Sequence, residues 1–433
     1  MKTTIGVVGL SHLGVIWSVG YASLGFDVVA YDRDPVPVDL LNAGNVFIPE
    51  PGLEEQFQGA RERLTFTKNA EDLASCNYIF FARDVPYDEE GRIDLTEIEI
   101  LWDNIIPHLS SGVEIIFMGQ VPVGYTRKLE NRIHQARPDL KFNLIYRVET
   151  LTISQAVPDF LHPDRIIVGT KQSGDTLSNG MTSVLIDPFK CPAAMCSYES
   201  AELAKSAINI YLATSVTFVN TISDLCEKVG ANIQEITAAM KLDKRFSPYG
   251  YWRPGLGFAG GHLERDLMSL TKLANENDMK VELLDTIITN SKQRYQWLKA
   301  AMDQHIFSKK ERPTICLWGL AYKKGTDSLH NSHCLKVFRD YIGKANIRVY
   351  DPVAKLPESF NGVEVYNDKF DALKDVDGLI ILTEWDEFKT DDPKPFRDNM
   401  KDPVLIDGVH MLGTTIQRDN TVKYIGMGVP QHV

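Results

Sequence analysis

Long apolar runs are missing from this 433-residue sequence. Nowhere do about eighteen uninterrupted apolar residues occur, the length a helix needs to cross a bilayer, so no membrane span is expected. The apolar start is too short for a signal peptide, and Ile5 to Val8 reads instead as a buried first strand. Cysteine is scarce: Cys76, Cys191, Cys196, Cys226, Cys316 and Cys334 lie far apart, without a CxxC pair or an ordered Cys/His spacing for zinc. They read as reduced thiols of a cytoplasmic protein, not as a disulfide framework, and no metal is expected. Positive charge is in deficit, with 46 Lys and Arg against 58 Asp and Glu and a net charge of −12. Sequence-independent phosphate affinity needs a basic surface, so nucleic acid is not an expected partner, and an anionic ligand requires a local basic pocket. What remains is an ordinary globular composition, 44% hydrophobic and 24% charged, in a chain long enough for roughly two or three domains.

The first motif is at the start. A strand, Ile5 to Val8, runs into Gly9-Leu10-Ser11-His12-Leu13-Gly14, followed by a helical pattern to about Ser23, a second strand from Asp27 to Tyr31, and Asp32. Strand, glycine turn, helix, strand and acid are the order of a dinucleotide-binding βαβ unit. Pyrophosphate binds at the helix N-terminus, where unpaired N–H groups and the helix dipole favour negative charge. Asp32 would take the adenosine ribose hydroxyls and repel a 2′-phosphate, which selects NAD over NADP. Ser11 stands where the fingerprint has its second glycine. The expected cofactor contacts are Gly9, Ser11, His12, Leu13, Gly14 and Asp32, with Pro86 and Val121 beyond later strand ends.

Further strands, Tyr78–Phe81, Glu114–Met118 and Asn143–Ile145, alternate with helices, giving a doubly wound parallel sheet. Residues 120–126 and 147–151 follow strand ends, where ligands bind in open α/β sheets. There Glu149 reads either as a solvated loop carboxylate or as a site residue. From about Glu199 to Val229 the pattern is one long helix, a domain connector with a surface for a second copy. It carries Lys205 and Asn209, four apart and so on one face, the lysine either snorkelling to solvent or facing a site. A second helical stretch, Gly230 to Lys241, leads to Pro254-Gly255-Leu256-Gly257-Phe258-Ala259-Gly260-Gly261, whose backbone can approach a ligand closely. The titratable cluster His262, Glu264, Arg265 and Asp266 follows, and a helix is expected from Asp266 to about Ala274.

After the charged linker 308–313, apolar runs at Thr314–Leu320, Ile347–Asp351, Gly378–Leu382 and Val404–Asp407 predict a second, smaller α/β sheet. Lys323 and Lys324, after its first strand, are either plain surface lysines or a phosphate site. The fold class is α/β: two Rossmann-like doubly wound domains, residues 1–195 and 308–433, joined by a long central helix and a helical middle domain, residues 196–307.

The chain resembles the UDP-glucose/GDP-mannose dehydrogenase family. The likeness rests on residues 48–53, Val121-Pro122-Val123-Gly124, Glu149 with Leu151, residues 163–169, Ala201-Glu202-Leu203-Ala204-Lys205 with Asn209, the glycine-rich loop, Gly319-Leu320-Ala321-Tyr322-Lys323, Tyr350-Asp351-Pro352 and residues 383–388. The resemblance implies a homodimer, NAD in the first domain and a nucleotide sugar mainly in the last. It implies oxidation of a primary alcohol, C6 of the sugar, to a carboxylate by two successive hydride transfers. Lys205 and Asn209 match the family's oxyanion partners, and Glu149 and Asp266 match two acids that manage the hydrolytic water. Glu149, Leu151, Lys205, Tyr249, Phe258, Gly260, Gly261 and Lys323 are the implied substrate contacts.

The departures fall in the second half of that reaction. The family loop has its nucleophilic cysteine where this chain has His262, a serine where it has Gly261 and a lysine where it has Arg265. The threonine before Val-Pro-Val-Gly is Gln120, a second glutamate is Ile153, and a C-terminal arginine is His330. Imidazole is a poor covalent carrier in place of a thiolate. The expectation is therefore hydride transfer from a nucleotide-activated hexose without the cysteine thioester, His262 serving as a general base. The alternatives are a two-electron oxidation that stops at an aldehyde or ketone, an acid formed by way of the aldehyde hydrate, a redox-neutral epimerisation with NAD retained, and a catalytically silent binding protein. A β-hydroxyacid dehydrogenase would leave the second α/β domain unexplained.

Overall fold

A computed structural model describes residues 3–86, 93–247, 249–357 and 360–430, with His262 described by its backbone alone. The chain divides into two compact units, Met1–Ile208 and Asn209–Val433.

The first unit is built on eight strands: β1 (Thr4–Val8), β2 (Asp27–Tyr31), β3 (Leu64–Thr67), β4 (Tyr78–Phe81), β5 (Val113–Phe117), β6 (Phe142–Arg147), β7 (Ile166–Thr170) and β8 (Ala193–Ser197). Their order is β3-β2-β1-β4-β5-β6-β7-β8. All neighbours are parallel except β6 and β7, which pair antiparallel through Tyr146↔Gly169 and Arg147↔Val168. That pair departs from the expected wholly parallel sheet. The central strands are continuous apolar runs, such as Tyr-Ile-Phe-Phe in β4, because both faces of the sheet are covered. One apolar layer packs α1 (His12–Ser23) on the sheet through Trp17, Tyr21, Phe80 and Phe160, and the other lies around Phe81, Trp102 and Phe117. The order reverses between β1 and β4, and a ligand crevice opens at the carboxyl ends of such strands.

The second unit carries a six-stranded, all-parallel sheet: β9 (Thr314–Trp318), β10 (Asn346–Tyr350), β11 (Val363–Val365), β12 (Gly378–Ile381), β13 (Val404–Asp407) and β14 (Lys423–Gly426), in the order β11-β10-β9-β12-β13-β14. Four helices position the site residues: α2 (Tyr125–Ala136), α3 (Tyr198–Val229), α4 (His262–Glu276) and α5 (Glu282–Met302). The 32-residue α3 runs through the division between the units, so Lys205 belongs to the first and Asn209 to the second. α4 begins at His262, four residues before the expected start at Asp266, which puts the titratable cluster on a helical first turn instead of in the loop. Among the described residues no helix is long and apolar enough to cross a membrane.

Candidate active site

The glycine turn after β1 is shaped by contact. Gly9 has φ +93°, and a Cβ on Gly14 would fall 2.7 Å from the Gly9 carbonyl carbon and 2.9 Å from the Ala82 oxygen. Two positions therefore exclude side chains, so that α1 can pack against the strand ends and present its N-terminal amides to the crevice. Asp32, at the end of β2, is buried and accepts the Leu10 N–H at 2.7 Å, the Asp34 N–H at 3.0 Å and the Arg83 guanidinium at 3.2 Å. A carboxylate has about four acceptor positions, so one is left for a ribose hydroxyl. Ser11, the departure from the glycine pattern, accepts the Asp84 N–H on its Oγ at 2.9 Å, so its hydroxyl ties this turn to the segment after β4. His12 Nε2 lies 3.0 Å from Glu50, a buried carboxylate that also accepts the Ser154 and Ala156 N–H groups at 3.1 and 2.8 Å. Pro86 is exposed beyond β4, and Val121 is buried beyond β5. A turn kept clear of side chains at Gly9 and Gly14, the N-terminal amides of α1 and a buried carboxylate at the end of β2 fit NAD, which supplies a hydride acceptor when bound.

Glu149 follows β6 and is mostly buried, its side chain 20% exposed. It accepts the Leu151 N–H. Desolvation pushes its carboxyl above the ordinary range, partly offset by the Lys205 ammonium and the Leu151 N–H. Lys205 reaches across from α3, donating to the Glu149 carbonyl at 2.7 Å with its Nζ 3.9 Å from the carboxylate. The lysine thus faces a loop at the strand ends and does not snorkel. One turn before it, Glu202 is buried and accepts the Gly124 and Thr126 N–H groups at 2.5 and 2.8 Å, capping α2. Glu202 fixes the turn that carries Val121 and the half-buried Gln120. No local pattern points to this partner, because the acid lies 76 to 78 positions away in sequence.

In the second unit, Asn209 donates its side-chain amide to Asp266, which is buried beside Arg265, its oxygen 3.5 Å from the Arg265 Nε. Among the described residues, four side chains pin the glycine-rich loop. Asn220 accepts the Gly255 N–H at 2.9 Å, and Ser291 on α5 accepts the Phe258 N–H at 2.7 Å. Asn331 donates to the Gly260 carbonyl at 3.1 Å, and His333 Nε2 donates to the Gly257 carbonyl at 3.3 Å. Burial and the Lys336 charge hold His333 neutral, its pKa down to about 3. No local sequence pattern points to these four, since each lies over 30 positions from its partner. Gly260 has φ +70°, and a Cβ there would meet the Tyr322 ring at 2.7 Å. Gly261 caps α4. Phe258 is half-buried and packs against the cluster of Ile210, Leu267 and Ile287, while Tyr249 is 92% exposed. The side chain of His262 lies outside the described residues.

The second sheet repeats the turn of the first. Gly319 has φ +105°, and Asp351 accepts the Leu320 and Ala321 N–H groups at 2.8 and 3.1 Å. Lys323 sits over the Tyr322 ring, its Nζ 5.8 Å from the centroid, and Lys324 pairs with Asp386 at 3.1 Å.

The sequence matches three parts of one family: the NAD binding domain of the UDP-glucose/GDP-mannose dehydrogenase family over residues 3–184, its central domain over 199–292 and its UDP binding domain over 316–414. A UDP-glucose 6-dehydrogenase of Rhizobium meliloti is 30% identical over 438 residues, 98% of each chain. One of Bacillus subtilis is 31% identical over 420 residues, 93% of this chain and 92% of that protein. The solved UDP-glucose dehydrogenase of Pyrobaculum islandicum superposes with a TM-score of 0.85 at 26% identity, covering 99% of this chain and 98% of that one. With the dinucleotide turn and the second nucleotide-binding sheet in place, the chain belongs to the UDP-glucose/GDP-mannose dehydrogenase family and is an NAD-dependent nucleotide-sugar dehydrogenase.

Proposed function

We propose that the protein oxidises a primary alcohol carbon, C6 of a UDP-glucose-like nucleotide hexose, by hydride transfer to NAD, without a cysteine thioester. The observation that carries the reading is the pairing of two donors one turn apart on α3 with two acids: Lys205 with Glu149, and Asn209 with Asp266. A half-buried ammonium and amide so anchored are preorganised to stabilise an alkoxide as its hydride leaves, and such donors act most strongly where water is excluded. Burial, which raises the Glu149 carboxyl above the ordinary range, suits it to hold and pass on a proton beside the alcohol. His262 is the proposed general base, at the position of the family's cysteine, with Gln120 in place of the threonine. Leu151, Tyr249, Phe258, Gly260, Gly261 and Lys323 are proposed substrate contacts, and the packing of Phe258 makes it a support for the loop. UDP is favoured as the nucleotide because the relatives named above act on UDP-glucose.

The three-part division at about residues 195 and 307 is part of the proposal, supported by the three matched segments. So is a homodimer: Tyr211, Phe218 and Leu225, seven apart on α3, are 72%, 46% and 55% exposed. An apolar face on a long helix is where a second copy would pack. The six free cysteines fit a cytoplasmic setting.

Incubation with NAD and a panel of UDP-, TDP- and GDP-sugars, read by product mass and NADH yield, tests the reading. One NADH per sugar and a product two hydrogens lighter is expected, insensitive to thiol alkylation. Two NADH per sugar with a trapped covalent adduct would refute the loss of the thioester route. An isomer with no net NADH would favour epimerisation, and binding without turnover a silent role.

A further inference from the structure

Two consecutive residues after β4 reach into the dinucleotide crevice from the opposite side of the switch point. The Asp84 carboxylate accepts the Leu13 N–H at 3.1 Å, at the N-terminus of α1. The same residue's N–H is held by Ser11 Oγ at 2.9 Å, so the carboxylate is aimed by a fixed backbone. Arg83 donates to Asp32 at 3.2 Å. These are the two groups that the cofactor itself requires: a helix-terminal amide for its pyrophosphate and an acid for its ribose.

We propose that Arg83 and Asp84 form an internal stand-in for the dinucleotide, and that Asp84 is a residue that sets NAD affinity by holding the pyrophosphate's amide until the cofactor displaces it. The inference rests on NAD binding in this crevice. The carboxylate imitates a phosphate oxygen on the Leu13 N–H, and the guanidinium imitates the ribose hydroxyl donors on Asp32. Binding therefore exchanges one set of hydrogen bonds for another, and it must also move a negative charge away from an arriving dianion. An exchange adds little net free energy, whereas an unobstructed amide at a helix N-terminus would give its full interaction to the phosphate. Ser11 gains a reason to replace the second glycine of the turn: glycine would have no hydroxyl to hold the Asp84 backbone.

The test is NADH affinity measured by calorimetry on the full-length protein and on Asp84→Asn and Asp84→Ala. Asn keeps the shape and one acceptor oxygen but loses the charge, and Ala removes both. Asp84 is exposed and, among the described residues, its carboxylate accepts one main-chain bond, so both variants should fold. NADH should bind about fivefold tighter to Asp84→Asn and about tenfold tighter to Asp84→Ala, the range expected for relieving one charge at a helix terminus. Adenosine, which has no phosphate, should bind equally to all three. Unchanged or weaker NADH binding in both variants overturns the stand-in while leaving the dinucleotide site intact, as would an equal gain for adenosine. No NADH binding by any of the three proteins overturns the site itself.

Discussion

Asp32 and Asp351 make the same bond in two different sheets. Each carboxylate, at the end of its sheet's second strand, accepts the main-chain N–H of the leucine that follows a left-handed glycine, Leu10 at 2.7 Å and Leu320 at 2.8 Å. The glycine N–H in turn donates to the tyrosine carbonyl before each acid, Gly9 to Tyr31 and Gly319 to Tyr350, both at 2.9 Å. The turn and the acid are therefore one structural unit before they are a binding site, and an acid in this place is not by itself evidence of ribose recognition.

Substitution should separate the two roles. Asp32→Ala and Asp351→Ala each leave a leucine N–H without its acceptor, at a cost of about 1–3 kcal/mol. Both should lower the thermal midpoint. Only Asp32→Ala should also weaken NADH binding, read by fluorescence titration. An Asp32→Ala protein with undiminished NADH affinity would remove the ribose role and leave the structural one.

Gly260 joins backbone conformation to the loop's support. With φ +70° and the Tyr322 ring where a Cβ would go, Gly260→Ala strains the chain and moves the ring or the loop. The expected cost is about 1–3 kcal/mol of stability. Turnover should fall roughly a hundredfold, as for a misplaced reacting group. NADH binding should be unchanged, because none of the groups placed around the dinucleotide belongs to the loop. Near-normal turnover in a correctly folded variant would show that the loop's path is not critical.

Glu149 makes a prediction about pH. Burial raises its carboxyl against the opposing Lys205 charge, so the folded protein holds this proton more tightly than the unfolded chain does. Its contribution to stability is then fully present below the ordinary glutamate range and is lost as pH rises through the raised value. Glu149→Gln cannot ionise and keeps an oxygen for the Leu151 N–H. It should match the wild type in thermal midpoint near pH 4 and exceed it by roughly 1–3 °C at pH 8. Its turnover should drop and lose the acidic limb of the pH profile. A variant less stable than the wild type at pH 8 would mean that the carboxylate is stabilised in place, contrary to the burial argument.

The fold was legible where strands are interior. β1, β2, β4, β5, β6, β9, β10, β12 and β13 stood out as apolar runs, because burial on both faces leaves little room for polar residues. The strands that did not stand out are β7 and the four edges, β3, β8, β11 and β14. β8, Ala-Ala-Met-Cys-Ser, is exposed along much of its length and carries no run to find. The site was legible through residues whose spacing is local: the glycine turn, or Lys205 and Asn209 on one helix. The residues that aim them, Glu50, Asp84, Glu202, Asn331 and His333, act through one to three hydrogen bonds each, nearly all across 71 to 106 positions, which leave no periodic mark. Arg83 and Asp84 could have been found by the rule that applied to Glu149, since they too follow a strand's carboxyl end.

The exposed face of α3 gives the last test. Tyr211, Phe218 and Leu225 recur at a spacing of seven, close to two helical turns, so they form one stripe. A stripe of this kind, left in water, costs hydrophobic free energy at every position, whereas two copies packed along it would bury all three residues in each. Phe218→Glu places a charge in the middle of that stripe and touches no residue proposed for catalysis. Light scattering behind a sizing column should report a dimer for the wild type and a monomer, or a dimer dissociating at far lower dilution, for Phe218→Glu. Far-ultraviolet circular dichroism should stay unchanged, since a half-exposed position accepts glutamate without loss of helix. A variant that remains dimeric at every concentration would move the interface off this face.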